Sequence, residues 1–186
     1  GRCRAAAALR AHCRRLGIAV SSVMHLAWAL VLARTTGRDA TVFGTLVFGR
    51  MQGGEDAHRA LGLFINTLPC RIDVDQRPVE RALKDVHALL ARMMAHEHAP
   101  LAQAQRCSGV PGDTPLFSTL MNYRYGERHG PFGENSGVDL LDDFEQTNYP
   151  ITVSVDDFGD ALRLVVNARQ GIDPGAVCGD LRRALE

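Results

Sequence analysis

Leu61-Gly62-Leu63-Phe64-Ile65-Asn66-Thr67-Leu68-Pro69-Cys70-Arg71 is an apolar, strand-like run interrupted by two polar side chains. A plain core strand would carry neither Asn66 nor Thr67. A buried carboxamide needs hydrogen-bond partners or it costs stability. Asn66-Thr67 therefore marks either a structural polar contact or a site. Alternation along a strand puts Phe64 and Asn66 on one side and Ile65 and Thr67 on the other.

Working upstream, residues 49–60 read as a polar Gly-rich loop, and residues 42–48 as a strand rich in β-branched and aromatic side chains. Residues 23–33 are apolar nearly all round, with Trp28 among them, which describes a helix buried on most sides. Ser21 or Ser22 offers its N-cap. Ala5, Leu9, His12 and Leu16 fall at helical spacing in a first helix that Gly17 ends. That helix begins at once, which suggests a chain cut from a longer polypeptide.

Downstream, the strand through Asn66 runs to about Val74. Pro78 starts a long helix with Leu83, Val86, Leu90 and Met93 on one face, closed or broken by Pro100 near His98. Residues 107–113 form a loop, residues 116–123 a strand, and residues 126–137 a Gly-rich connection. Strands near 151–155 and 162–166 flank a hairpin turn at Asp157-Phe158-Gly159-Asp160. Asp173-Pro174 opens a last helix with a cap and a first-turn proline. The order ααβ-βα-β-ββ-α, mixed without strict alternation, predicts an α/β fold: a mixed-sheet sandwich with flanking helices.

At 186 residues the chain fits one domain, or one large lobe of something bigger, with a real hydrophobic core. Its formal net charge is zero, so nothing electrostatic argues for nucleic acid or an anionic membrane. Lys84 is the only lysine among 21 basic residues, an Arg bias that reads as gene base composition and not as phosphate recognition. Five cysteines, an odd number with no C-x-x-C pair, indicate neither a disulfide framework nor a zinc knuckle, and reduced thiols in a cytoplasmic protein are expected. No apolar run approaches the ~20 residues needed to cross a bilayer.

His96-Glu97-His98 invites a metal reading. Two histidines two residues apart on a helix point about 200° apart, so they cannot grip one ion as an i, i+4 pair does. Helix-end capping and loop anchoring is the better account, and no metal is expected. Asp157-Phe158-Gly159 lacks the rest of the kinase set and reads as a turn; Ser118 lacks the G-x-S-x-G elbow. His25, in the buried helix, reads as a satisfied core histidine. What remains is Asn66-Thr67 inside one apolar strand, Asn122-Tyr123 ending another, and Asn148-Tyr149-Pro150 opening a third. Three Asn at strand ends can line one cleft, or can be ordinary turn formers.

Six stretches, in order and spacing, resemble the C-terminal lobe of the condensation domains of nonribosomal peptide synthetases. They are residues 26–34, Val42-Phe43-Gly44-Thr45 with Gly49-Arg50, residues 61–71 against an F-V-N-T-type motif, His96 to Leu101 against H-x-x-x-P-[FL], Pro115-Leu116-Phe117-Ser118 with Asn122-Tyr123, and Thr147-Asn148-Tyr149-Pro150. The resemblance covers about residues 3–180, so residues 1–186 are read as one such lobe. It implies a chloramphenicol acetyltransferase-like fold and a tunnel between two lobes. Two carrier proteins insert phosphopantetheine arms into that tunnel, where the acceptor amine attacks the donor thioester to form an amide.

The family's H-H-x-x-x-D-G motif belongs to the N-terminal lobe, and this sequence contains no H-H pair. The catalytic residues are thus expected outside this chain, and the chain alone is expected to be inactive. The segment Asp113-Thr114-Pro115-Leu116-Phe117 also departs from the family's R-N-P version of its motif, so no arginine role transfers there. The resemblance makes Asn66 the foremost candidate for a polar group near the reacting atoms. Thr67, Asn122 and Tyr149 become candidates for lining the tunnel. Expected partners are carrier-protein domains and the N-terminal lobe, with self-association through the exposed inter-lobe face, and no cofactor bound directly. A carrier-docking module without chemistry, or an epimerase-type or acyltransferase relative, are the competing functions.

Overall fold

The computed structural model describes residues 2–48, 65–126 and 147–186. Leu61 to Phe64, the loop 49–60 and most of the Gly-rich connection expected after Gly126 lie outside the described residues. Two helices open the chain, α1 at Arg2–Leu16 and α2 at Val20–Thr36, then strands β1 at Ala40–Phe48 and β2 at Ile65–Asp73. Helices α3 at Val79–Met94 and α4 at Leu101–Cys107 follow, then β3 at Thr119–Tyr125, β4 at Ile151–Asp157, β5 at Leu162–Ala168 and α5 at Pro174–Ala184.

The five strands form one mixed sheet in the order β2-β1-β3-β4-β5. The two outer pairs are antiparallel, and the inner pairs β1/β3 and β3/β4 are parallel. This is the mixed α/β sandwich with flanking helices expected from the element order. One hydrophobic cluster joins Cys13 of α1, Met24, Trp28 and Val31 of α2, Leu83 and Val86 of α3 and Leu181 of α5 to the sheet. Its strand members are Phe43, Cys70, Ile72, Met121, Val153 and Val155, every second residue along each strand. The helices α1, α2, α3 and α5 therefore cover one face of the sheet.

Local chemistry explains most element ends. Gly37 closes α2 in the left-handed region at φ 67°, where a side chain would be strained, and its N–H donates to the Ala33 carbonyl. Asp173 caps α5 by accepting from Gly175 N–H at 2.8 Å, with Pro174 in the first turn. Two expectations are corrected. The start of α2 is not capped by Ser21 or Ser22. The helix begins at Val20, Ser22 is buried inside it, and the imidazole of His87 on α3 accepts from the Ala19 N–H and meets the Ser22 hydroxyl at 3.1 Å. The expected element order has one helix between β2 and β3, whereas the chain has two, the second being the short helix α4, which buries no residue and so leaves no periodic apolar signal. Among the described residues no single helix is long and apolar enough to cross a membrane.

Candidate polar site on the second face of the sheet

The second face of the sheet carries Gly44, Leu46, Thr67, Leu120, Asn122, Thr152, Ser154 and Asp156, the residues that alternate with the core set. Register ties them into rows. Leu46 pairs with Thr67, Gly44 with Leu120, Leu120 with Thr152, and Asn122 with Ser154. Thr67 and Asn122, both expected at a site, thus share this face, with β1 between their strands. Asn122 does not end its strand as expected. It sits in the middle of β3.

Asn122 is 3% exposed and Ser154 1%. Asn122 Oδ1 and Ser154 Oγ are buried without a hydrogen-bond partner. Their neighbours on the same face of β4 are satisfied. Thr152 meets the Thr147 hydroxyl at 2.6 Å, and Asp156 accepts from Arg124 Nε and Arg163 Nε, each at 2.7 Å. On this face the unmet oxygens are therefore confined to one row, where two adjacent parallel strands each present a polar side chain.

Tyr149 stands just before β4, half-buried, with its ring stacked on Phe117 at 5.4 Å. Burial pushes its phenol pKa up. Phe117 lies where a side chain at position 44 would go. A Cβ on Gly44 would run into the ring and come within 2.9 Å of Leu120. Gly44 is thus required for this close approach, and Phe117 with Tyr149 belongs to the same face as Asn122.

Asn66 falls on the opposite face, opposite Val47 in the register. Its amide nitrogen donates to the carbonyls of Glu97 at 2.8 Å and Ala99 at 2.9 Å, and its oxygen accepts from the Thr67 N–H at 2.9 Å. Both of its N–H bonds are committed to fastening the turn after α3 to the start of β2. As the foremost candidate for a polar group near the reacting atoms, Asn66 could donate there only by giving up one of them. His96 and His98 lie in this turn and not on the helix, and His98 Nε2 stands 3.7 Å from Glu97 Oε1. Among the described residues no group of three His, Cys, Asp or Glu side chains could hold a metal ion.

On the helix-covered face, His25 Nδ1 donates to the Ser21 carbonyl and Nε2 accepts from Thr45 Oγ1, each at 2.7 Å. Burial lowers its pKa to about 4, against which the Ser21 bond works only in part. It is the satisfied, neutral core histidine expected. Asp157 is a second polar anchor, and sequence reasoning placed it only in a turn. Arg10 grips its carboxylate with both Nη atoms, Tyr123 donates its hydroxyl, and Gly159 N–H donates at 2.9 Å. Burial alone would raise its pKa. The bonds from Arg10, Tyr123 and Gly159 outweigh that and hold it below the usual carboxylate range. Ser154 also escaped notice. The signal was there, because Thr152, Ser154 and Asp156 put three polar side chains on one face of an otherwise apolar strand.

The condensation-domain family profile matches residues 3–171. Malpinin synthetase of Mortierella alpina is 48% identical over 179 residues, which cover 96% of this chain and 2% of the synthetase. Chondramide synthase cmdD of Chondromyces crocatus is 33% identical over 151 residues, 80% of this chain and 4% of the synthase. The chain thus spans a few per cent of the length of these relatives. The condensation domain of the Monacolin K polyketide synthase MokA superposes with a TM-score of 0.77 at 19% identity, over 98% of this chain and 44% of that one. The first condensation domain of the CDA synthetase superposes with a TM-score of 0.74 at 20% identity, over all of this chain and 43% of that one.

Proposed function

The chain belongs to the condensation-domain family of nonribosomal peptide synthesis, and from that premise we propose that it is the C-terminal lobe of a two-lobed, amide-forming domain. The observation that carries the reading is coverage. Essentially the whole chain superposes on less than half of two condensation domains. The lack of an H-H pair in the sequence fits a lobe whose partner supplies the catalytic histidine.

In this reading the acceptor amine attacks the donor thioester carbonyl. A C–N bond forms, the C–S bond breaks, and the sulfur leaves as a thiol with the proton the amine gives up. A thioester is already activated, so the work is alignment of two phosphopantetheine-borne groups, a neutral amine and a stabilised oxyanion. This lobe supplies one wall of the tunnel. Thr67, Asn122 and Tyr149, which share the face away from the helices, contact the arms or substrate. Asn66 serves the same wall indirectly, by holding the turn at residues 95–100.

The test is reconstitution. The chain alone, given donor and acceptor carrier thioesters, forms no amide above the uncatalysed rate. Joined to its N-terminal lobe it does. Turnover by the chain alone, or none by the joined domain, overturns the reading. Carrier binding without turnover by the joined domain would select the docking-module alternative.

A further inference from the structure

We propose that Asn122 and Ser154 together hold the amine nitrogen of the acceptor substrate, each oxygen accepting one N–H. The inference rests on the acyl-transfer reading above and names the group that this second face of the sheet positions. Three observations carry it.

The two residues are register partners on parallel strands β3 and β4, and both point away from the helices. Neighbouring strands lie about 4.8 Å apart. If the two oxygens keep that spacing, a single heteroatom about 2.9 Å from each would subtend about 110°, the tetrahedral angle of an amine.

The lack of partners is also local. Asn122 Oδ1 and Ser154 Oγ are buried and unmet, whereas Thr152 and Asp156, two residues away on either side of Ser154, are hydrogen-bonded. Buried polar atoms in folded proteins nearly always have partners, so two unmet oxygens in one row of this face call for a specific one.

The chemistry selects the ligand. A carboxamide oxygen only accepts, so the bound group must donate at that point. That excludes the thioester carbonyl and the oxyanion as partners of Asn122 Oδ1, and of the donors that enter the tunnel the acceptor amine is the one that offers two N–H groups from a single atom. An amine that gives both N–H bonds to these oxygens keeps its lone pair directed at the carbonyl carbon, where the C–N bond forms. Both oxygens ride on inner strands of the sheet, which hold a reacting atom more firmly than loops do.

The experiment uses the intact synthetase with loaded carriers, and compares an aminoacyl acceptor with the matching hydroxyacyl acceptor, which has one O–H to donate. Ser154→Ala is expected to slow amide formation about tenfold, and to change ester formation from the hydroxyacyl acceptor by less than about twofold. Ser154→Thr, which restores the hydroxyl, is expected to recover amide formation. The melting temperature of Ser154→Ala should hold or rise, because a buried hydroxyl without a partner is removed. Equal slowing with both acceptors, no slowing, or a lower melting temperature with an unchanged rate per folded molecule overturns the proposal. The last result would mark the pair as the seat of a structural water. A wild-type synthetase that forms no amide refutes the acyl-transfer reading itself. An active wild type with an unaffected Ser154→Ala refutes only the amine site.

Discussion

Replacing Asp157 by Ala removes a carboxylate that helix α1, strand β3 and the β4/β5 turn all share. Arg10, Tyr123 and Gly159 each lose an acceptor. Asp157 is 2% exposed and Arg10 16%. Breaking a buried ion pair from one side costs about 3–5 kcal/mol, because the surviving charge is left uncompensated. Arg10 retains some contact with water, so the low end applies, about 3 kcal/mol. For a chain of this size that is a fall in melting temperature of about 6–12 °C. Tyr123→Phe removes one donor only and should cost about 1 kcal/mol.

The pH dependence carries the same signature. The folded pKa of Asp157 is held below its unfolded value. Its contribution is therefore complete above the unfolded value of about 4, and is lost as pH falls through the folded one. Asp157→Asn should flatten that acid limb. Thermal melts between pH 3 and 7 on wild type, Arg10→Met, Asp157→Leu and the variant carrying both substitutions measure the coupling directly. A melting temperature for Asp157→Ala within about 2 °C of wild type, or single-variant costs that simply add in the pair, would refute the shared-anchor account.

Asn66→Ala should destabilise the chain by about 1–3 kcal/mol, because the Glu97 and Ala99 carbonyls lose their donor. A preserved melting temperature with a slowed condensation in the intact synthetase would instead give Asn66 a direct part in the chemistry. Gly44→Ala drives a methyl group into the Phe117 ring and should cost about 1–3 kcal/mol, read as a loss of melting temperature and of Tyr149 stacking in near-ultraviolet dichroism. His87→Ala leaves the Ser22 hydroxyl and the Ala19 N–H at the start of α2 without their acceptor, and should cost about 1 kcal/mol by denaturant titration. His25 is neutral when folded, with a pKa of about 4. The unfolded chain takes up its proton first, so stability should decline as pH drops from about 6.5 toward that value, and a His25→Gln variant should lose this slope.

Much of the fold was legible because its signals are local. The all-round apolar character of α2, the one-sided stripe of α3, the Asp173-Pro174 start of α5 and the turn between β4 and β5 each lie within a few residues. The misreadings have local causes too. Helix α4 buries nothing and has no stripe to detect, and Ser21-Ser22 looked like a cap although the acceptor at that helix end comes from His87, on another helix.

The candidate site was legible as a set of residue types and not as an arrangement. Thr67, Asn122 and Tyr149 could be picked out as polar or aromatic breaks in apolar runs, but whether they meet depends on strand order and register. Those are set by pairings between residues far apart in sequence, such as Gly44 with Leu120. Asn66 makes the division plain. Its residue type announced a side chain that needs partners, at a structural contact or at a site. Its partners, 31 and 33 residues away, decided that the contact is with the backbone of a turn. By itself the sequence determined which segments become helix or strand and which side chains demand hydrogen bonds, because propensity and periodicity act over a few residues. Only the tertiary structure decided which of those demands are met, because the partners are brought together by strand pairing and by packing between segments far apart in sequence. It met those of Asn66, Thr152 and Asp156, and left Asn122 and Ser154 side by side with unmet oxygens.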